Sequence, residues 1–270
     1  MHLRQKKSCF IILGFAISTC AGIGIGHAGP GKSPQSYDSP FISSKSHATN
    51  PKVYGKTYGE WAAEWWKWAA SFPADMNPIG DETGELCDMG QSGPVWFLAG
   101  SFGTTGVERD CTIPPGKAIF YPLINVTWVD ALGDEENYSD DDVRWIVSSF
   151  TGAGDLGCQL TSTLDTLDTQ FGEVPAPVTA LGRPIVRAQS PKVSAYLPED
   201  NIFTDPDNGN IVPGGVNDRL IAEGYWVMLP PLTRGEHVLN LHGAQCSEND
   251  DGTIEKPFET EVTYYLHVGP

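Results

Sequence analysis

The sequence predicts a mainly β protein, specifically an antiparallel β-sandwich of the jelly-roll kind with two helices. Short runs rich in β-branched and aromatic residues alternate with turn signals such as IPPGK, PPLTRGE and ENDDG. Only two stretches have the period of an amphipathic helix. Many short strands with turn signals between them are typical of a sandwich. The predicted strand runs are PVWFLAG (94–100), KAIFYPLINVTW (117–128), GYWVML (224–229), EHVLNLHG (236–243) and ETEVTYYLHV (259–268).

The chain begins with a stretch typical of an export signal. Three basic residues precede an apolar run of roughly ten residues, which is too short to span a bilayer. Small residues at Gly26 and Ala28 predict cleavage after Ala28, whereas Cys20 offers an alternative as the lipid-attached cysteine of a lipoprotein. The predicted organisation is therefore a signal peptide at 1–28, a flexible Ser/Pro/Gly-rich lead-in at 29–52 and a single disulfide-linked sandwich domain at 53–270.

The charge balance excludes some classes of partner. The chain has 34 acidic and 17 basic residues, and the predicted leader carries basic residues but no acidic one, so the mature protein is more acidic still. Nucleic acids and anionic membrane surfaces are recognised through cationic patches, and we therefore expect neither as a partner. No later segment has the length and apolarity of a transmembrane helix.

Four cysteines follow the predicted leader. An even number of cysteines in an exported chain predicts two disulfides, for which three pairings exist. We favour Cys87–Cys111 with Cys158–Cys246, because the first pair brackets what looks like a local hairpin. A reactive or metal-binding thiol is the alternative, although the sequence contains no CxxC motif.

The first predicted helix contains four of the eight tryptophans within YGEWAAEWWKWAASFP. Thr57 and Glu60 have the spacing of a capping box, and Pro73 ends the helix. One stripe of the helical wheel is aromatic, which indicates a helix packed on a core. The stripe consists of Trp61, Trp65, Trp68 and Phe72. Trp66 lies off the stripe, and we therefore expect it at the surface or in a cleft.

A second helix is predicted over residues 139–150. Ser139 is suited to cap it, and aspartates at 140–142 lie at the favourable end of the helix dipole. Residues 160–215 mix strand and loop signals without a resolved pattern. Pro122, inside a predicted strand, indicates a sheet edge or a bulge.

Paired carboxylates suggest one catalytic possibility. Glycoside hydrolysis uses two carboxyl groups roughly 5 to 10 Å apart. Glu64 and Asp81 are the candidates, since Glu60 is used by the cap. The alternative is a solvated helix face, in which Lys67 neutralises Glu64 across one turn. Ser92, in GQSGP, is interpreted as a turn residue rather than a nucleophile.

Binding residues are a separate prediction. Trp66, Gln91 and Trp96 are the candidate ligand-binding residues. Asp205 and Asp207, within DPDNGN, match a fragment of a calcium loop, and a polar turn is the alternative interpretation. The mature histidines show no metal-binding grouping, and no other cofactor is expected.

Several blocks together carry a family resemblance. YGEWAAEWWKW, GQSGPVWFLAG, CTIPPGKAIFYPLIN and GYWVMLPPLTRGEHVLNLHG, followed by VTYYLHV, resemble a group of uncharacterised secreted bacterial proteins over most of residues 55–268. The resemblance implies a bacterial, exported, single-domain protein. It implies no activity and carries no functional residue.

These observations lead to three hypotheses. The first is an exported, non-catalytic β-sandwich protein that binds a polysaccharide or an envelope ligand. The second is a secreted, glycosidase-like hydrolase that uses acidic residues around Glu64 and Asp81. The third is a structural or assembly protein of the cell envelope.

Overall fold

The computed structural model describes residues 11–12, 52–134, 137–152, 160–165, 185–248 and 253–269. It consists of two β-sheets that pack together and two helices, which confirms the mainly β, sandwich-like fold. The first sheet contains β1 (Ile11–Ile12), β2 (Val95–Phe97), β4 (Ala118–Trp128), β6 (Val186–Gln189), β7 (Val193–Leu197) and β8 (Gly215–Leu229). The second sheet contains β3 (Val107–Ile113), β5 (Thr161–Leu164), β9 (Gly235–Glu248) and β10 (Ile254–Val268). The helices are α1 (Tyr58–Ala70) and α2 (Asp140–Gly152).

The central pair of the first sheet is formed by β4 and β8, which run antiparallel. On the far side of β4, β2 pairs with the start of the strand and β1, from the predicted leader, pairs with its end. On the far side of β8, β6 and β7 follow one another along the same edge. The register of β4 shifts between Pro122 and Ile124. The proline therefore lies at a bulge, which is one of the two positions that the sequence predicted for it.

The second sheet has the strand order β3-β10-β9-β5. Two of the pairings between described strands are parallel, namely β2 with β4 and β3 with β10. Both sheets are therefore mixed, whereas the sequence predicted antiparallel pairing. A parallel pair needs a crossover connection, and β3 and β10 lie far apart in the chain.

The core between the two sheets is mainly apolar, and a buried polar link crosses it. The hydroxyl groups of Tyr121 in β4 and Ser162 in β5 are 2.7 Å apart and fully enclosed. Burial raises the pKa of the Tyr121 hydroxyl far above its ordinary value, and the hydrogen bond to Ser162 only partly offsets this. The surrounding apolar residues include Ile119, Val227, Leu239, Val262 and Leu266.

Helix α1 begins as predicted. The backbone N–H of Glu60 donates to Thr57 Oγ1 (3.2 Å), and the backbone N–H of Thr57 donates to Glu60 Oε2 (2.7 Å), which completes the capping box. The helix packs on the outer face of the first sheet, very close to β6. A Cβ on Gly59 would lie 2.3 Å from the carbonyl oxygen of Gln189, so this approach requires glycine.

The tryptophans of α1 are all buried. Trp61, Trp65 and Trp68 face the sheet, as the stripe predicts. Trp66 is also fully enclosed, because Phe203 from the segment after β7 covers the other side of the helix with a ring-to-ring distance of 6.1 Å. The expected surface or cleft position of Trp66 is therefore wrong. A helix that is covered on both sides is apolar around most of its circumference.

Helix α2 packs on the face of the first sheet that the second sheet also covers, and it lies beside the second sheet. The Ser139 hydroxyl accepts a hydrogen bond from the Asp142 backbone N–H (3.2 Å), and an Asp142 carboxylate oxygen accepts one from the Ser139 backbone N–H (2.9 Å). Val143 and Val147 are buried against Ile221 of β8. This confirms the predicted second helix and its cap.

The disulfide Cys87–Cys111 is present, as predicted. It does not close a hairpin. Strand β2 lies between the two cysteines and β3 contains Cys111, but these two strands belong to different sheets. The bond instead ties the loop before β2 to β3 of the second sheet. Cys158 lies outside the described residues, so its predicted pairing with Cys246 in β9 stays a prediction.

Replacing both Cys87 and Cys111 with serine is expected to lower the free energy of unfolding by roughly 3 kcal/mol. The two residues are 24 positions apart, and a cross-link of this length restricts the unfolded chain by that amount in the chain-entropy model. Urea unfolding of the wild type and the double variant under oxidising conditions measures the difference, since any other disulfide is retained in both proteins. An unchanged midpoint would show that the bond contributes nothing.

Across the residues that the structure describes, no helix combines the length and the apolarity needed to cross a membrane.

Candidate functional site

The candidate catalytic carboxylate on α1 is held in ion pairs. Glu64 Oε1 lies 2.9 Å from Lys56 Nζ and 3.8 Å from Lys67 Nζ. The side chains of all three residues are between a third and a half exposed, which is typical of the solvated helix face. Glu64 thus has the lysine neighbours expected if it belongs to a solvated helix face, which was the alternative to a catalytic role.

Asp81 organises the loop that follows α1. Its carboxylate accepts hydrogen bonds from the backbone N–H groups of Thr83 (2.8 Å), Gly84 (3.0 Å) and Leu86 (2.9 Å). Burial alone would raise the pKa of Asp81, but these donors stabilise the carboxylate by more and hold the pKa below its ordinary value. The group is therefore an ionised loop anchor and is poorly suited to act as a general acid.

The three candidate ligand-binding residues are engaged in holding the fold together. The Gln91 side-chain amide donates to the carbonyl oxygens of Cys87 and Phe97 and accepts from the Phe97 backbone N–H (2.9 Å), so it clamps the loop onto β2. Trp96 is buried between the two sheets, and Trp66 is buried where Phe203 covers α1. The structure does not bring the three together on one exposed surface.

Asp205 and Asp207 lie in a tight turn. The backbone groups of Asp205 and Asn210 exchange hydrogen bonds of 2.8 and 2.9 Å, and the Gly209 N–H donates to the Pro206 carbonyl. Within the described ranges, no group of three or more His, Cys, Asp or Glu side chains is placed to hold a metal ion. The turn geometry matches the polar-turn interpretation of DPDNGN.

A histidine at the start of β9 resembles part of a catalytic triad. His237 Nδ1 lies 2.7 Å from Asp165 Oδ2, and its Nε2 lies 3.4 Å from the Thr233 hydroxyl. However, Nε2 is only 2.9 Å from the Thr233 carbonyl oxygen, which can only accept a hydrogen bond. Both ring nitrogens therefore donate, and the imidazolium form joins the end of β5 to β9 without acting as a base.

This arrangement predicts a pH dependence of stability. Burial alone would lower the pKa of His237, but the hydrogen bonds to Asp165 and Thr233 raise it by more. Because the pKa of His237 is higher in the folded than in the unfolded protein, protonated His237 stabilises the fold. This stabilisation is complete at pH values below the unfolded pKa, about 6.5, and is lost as the pH rises through the folded pKa. We expect H237Q to remove about 0.5 to 1 kcal/mol of unfolding free energy at about pH 6 and much less at about pH 9.

Urea unfolding of both proteins at the two pH values tests the His237 prediction. The comparison with H237Q is needed because other groups also titrate, including His267, whose pKa is raised by its hydrogen bond to Asp110. An equal difference between wild type and variant at both pH values would contradict a proton-linked role.

The exposed face of β7 and β8 is the candidate functional site. Tyr196 in β7 lies directly opposite Val216 in β8, and the two residues are 65% and 70% exposed. Two residues before Tyr196, the Ser194 hydroxyl donates to Asp218 Oδ1 (3.1 Å). We call these four residues, Ser194, Tyr196, Val216 and Asp218, the ribbon platform.

The platform rests on a rigid support. Val193, Ala195 and Leu197, which alternate with Ser194 and Tyr196, face the opposite way and pack in the core around α1. The backbone positions of the exposed residues are therefore fixed by strand pairing and by the core beneath. Sites on strands hold their side chains more accurately than sites on loops.

Two further exposed apolar residues, Leu132 and Ile211, lie side by side in the segments before α2 and before β8. Leu132, which is 70% exposed, donates its backbone N–H to the carbonyl oxygen of Ile211 (3.0 Å). The Asn217 side chain bonds both the backbone N–H and the carbonyl oxygen of Asp130, which joins this segment to β8. On the platform itself, Tyr196 has Val216 opposite it and the Ser194–Asp218 pair two positions away along the strands.

This site was not predicted from the sequence, because residues 160–215 show no resolved pattern of strands and loops. A local signal exists in KVSAYLP, where small or apolar residues alternate with Ser194 and Tyr196. Comparisons with protein families, with curated proteins and with solved structures found no match to this chain.

Proposed function

We propose that this chain is an exported, non-catalytic protein that binds polysaccharide through the ribbon platform. The observation that carries the proposal is the exposed Tyr196 ring, flanked by Val216 and by the Ser194–Asp218 pair. Sugar rings present an apolar C–H face that stacks on an aromatic ring, and their hydroxyl groups bond to carboxylate and hydroxyl oxygens. The platform offers both kinds of contact on one rigid surface.

The carboxylates of the sequence favour binding over hydrolysis. Glu64 is engaged by two lysines, and the Asp81 carboxylate is engaged by backbone donors. A glycosidase requires one carboxyl group that holds a proton and a second that is free to act as a base or nucleophile. The lowered pKa of Asp81 is unsuited to the first of these roles.

Two features support a location outside the cytoplasm. The first 28 residues have the composition of an export signal, and the domain contains the disulfide Cys87–Cys111. Disulfides form and persist in oxidising compartments.

Affinity electrophoresis in gels that contain soluble polysaccharides tests the proposal. We expect the wild type to be retarded by at least one neutral polymer, and Y196A to bind about tenfold more weakly, because an aromatic contact contributes about 0.5 to 1.5 kcal/mol beyond its buried area. W145A is the matched control, since Trp145 is an aromatic residue of α2 that is 70% exposed and is not part of the platform.

The outcomes separate the hypotheses. Loss of retardation in Y196A but not in W145A supports the platform, and the reverse result contradicts it. If no polysaccharide retards the wild type, the proposal is wrong. Sedimentation of wild type and Y196A then tests whether the same exposed face serves assembly instead.

A further inference from the structure

The ribbon platform has a carboxylate near each of its ends. Asp218 lies in β8, two positions after Val216 and within hydrogen-bond distance of Ser194 in β7, and it is exposed. At the other end, exposed Glu199 lies over Gly214, where a Cβ would be 2.7 Å from Glu199 Cδ. Asp218 and Gly214 are four positions apart in the chain, and Val216, the partner of Tyr196, lies between them.

The basic side chains near the platform are already engaged. Lys192 Nζ, just before β7, lies 3.0 and 3.1 Å from the two carboxylate oxygens of Asp140. Arg219, next to Asp218 in β8, is buried and forms hydrogen bonds of 2.6 to 3.0 Å with Asp130. Among the described residues, no basic side chain forms an ion pair with Asp218 or Glu199, so both ends of the platform keep their negative charge.

A ligand that complements this surface combines a stacking face with positive charge. We infer that the platform selects polysaccharides of unacetylated amino sugars, whose protonated amino groups lie at Asp218 and Glu199 while one ring stacks on Tyr196. This inference rests on the proposed function and gives it a substrate class. The strongly acidic chain adds a general attraction for a polycation, and the two carboxylates orient the bound polymer on the platform.

A matched pair of ligands tests the inference. Glucosamine oligomers and N-acetylglucosamine oligomers of the same linkage and length differ in charge but share the ring that stacks. Calorimetric titration at about pH 5.5, between the ordinary pKa values of carboxylic acids and of amines, keeps both partners charged. We expect wild type to bind the amino form about threefold to tenfold more tightly, because each exposed ion pair contributes modestly.

Variants identify the residues that supply the preference. The double variant D218N/E199Q is expected to bind both oligomers equally, while Y196A weakens binding of both. D207N/D88N, which removes two exposed carboxylates elsewhere, controls for the lower net charge and should keep the preference. Raising the salt to about 0.5 M NaCl should also reduce the preference, because these charges are exposed.

The results distinguish this inference from the proposed function. Equal affinity of the wild type for the two oligomers overturns the amino-sugar preference and leaves polysaccharide binding standing. A preference that survives in D218N/E199Q, or that disappears in D207N/D88N, shows that the general charge of the protein is responsible. Absence of binding to either oligomer, with neutral polymers bound in gels, also overturns it.

Discussion

Replacing Arg109 with methionine is expected to lower the free energy of unfolding by about 4 kcal/mol. This arginine lies in β3, is 2% exposed and points into the space between the two sheets. Hydrogen bonds to charged groups contribute about 1.5 to 3 kcal/mol each, and their sum is less than additive within one network. Methionine fills a similar volume, so the loss reports mainly the polar contacts.

The contacts of Arg109 explain the size of the effect. Its guanidinium donates to the carbonyl oxygens of Ile79 (3.0 Å), Asp81 (2.6 Å) and Gly100 (3.0 Å) and to the Tyr264 hydroxyl (2.8 Å). It thereby joins the loop before β2, the loop after β2 and strand β10. Without the arginine, these acceptors stay buried but lose their donor, which is the costly case.

Urea unfolding of R109M and of the control R234M measures this contribution. Arg234 is exposed in the turn before β9, and its replacement should change the unfolding free energy by less than about 0.5 kcal/mol. R109K is informative as well, because lysine keeps the charge but cannot direct donors to two loops and a strand at once. A change below about 1 kcal/mol in R109M would falsify the role of Arg109 as the link between the loops.

Replacing Trp65 with alanine is expected to cost about 3 to 5 kcal/mol of unfolding free energy. Trp65 is completely buried, and its ring contacts those of Trp66, Trp68 and Trp226 at centroid distances of 5.1 to 5.7 Å. Its indole N–H donates to the Leu98 carbonyl oxygen (2.9 Å). Alanine leaves a large cavity and a buried carbonyl without its donor.

The same substitution at an exposed tryptophan is the control for Trp65. W145A should unfold within about 0.5 kcal/mol of the wild type, since Trp145 is on the solvent side of α2. W65F should lie between W65A and the wild type, because it keeps most of the ring volume but loses the hydrogen bond. Similar stabilities of W65A and W145A would contradict the assignment of Trp65 to the core.

Local signals predicted the helices well. The caps at Thr57 and Ser139 depend on residues three positions apart, and such contacts are readable from sequence. The burial of Trp66 depends instead on Phe203, which lies far along the chain. Helical periodicity identifies the face that meets one partner and contains no information about a second.

Strand β3 illustrates the other limit of sequence reasoning. Its inward-facing positions are Val107, Arg109, Cys111 and Ile113, which alternate with exposed residues. An arginine among the inward positions obscures the apolar pattern, and its burial is explained only by carbonyl groups from distant loops. The same holds for the ribbon platform, because its four residues meet only when β7 and β8 pair.

The parallel pairing of β3 with β10 has a consequence for the order of folding. Arg109 and its partner Tyr264 are 155 positions apart, and β10 is the strand that joins β3 to β9. The second sheet therefore cannot close until the last described strand has been synthesised. Chains dominated by such distant contacts fold slowly. During synthesis the polypeptide would therefore remain open until β10 emerges and pairs with both β3 and β9.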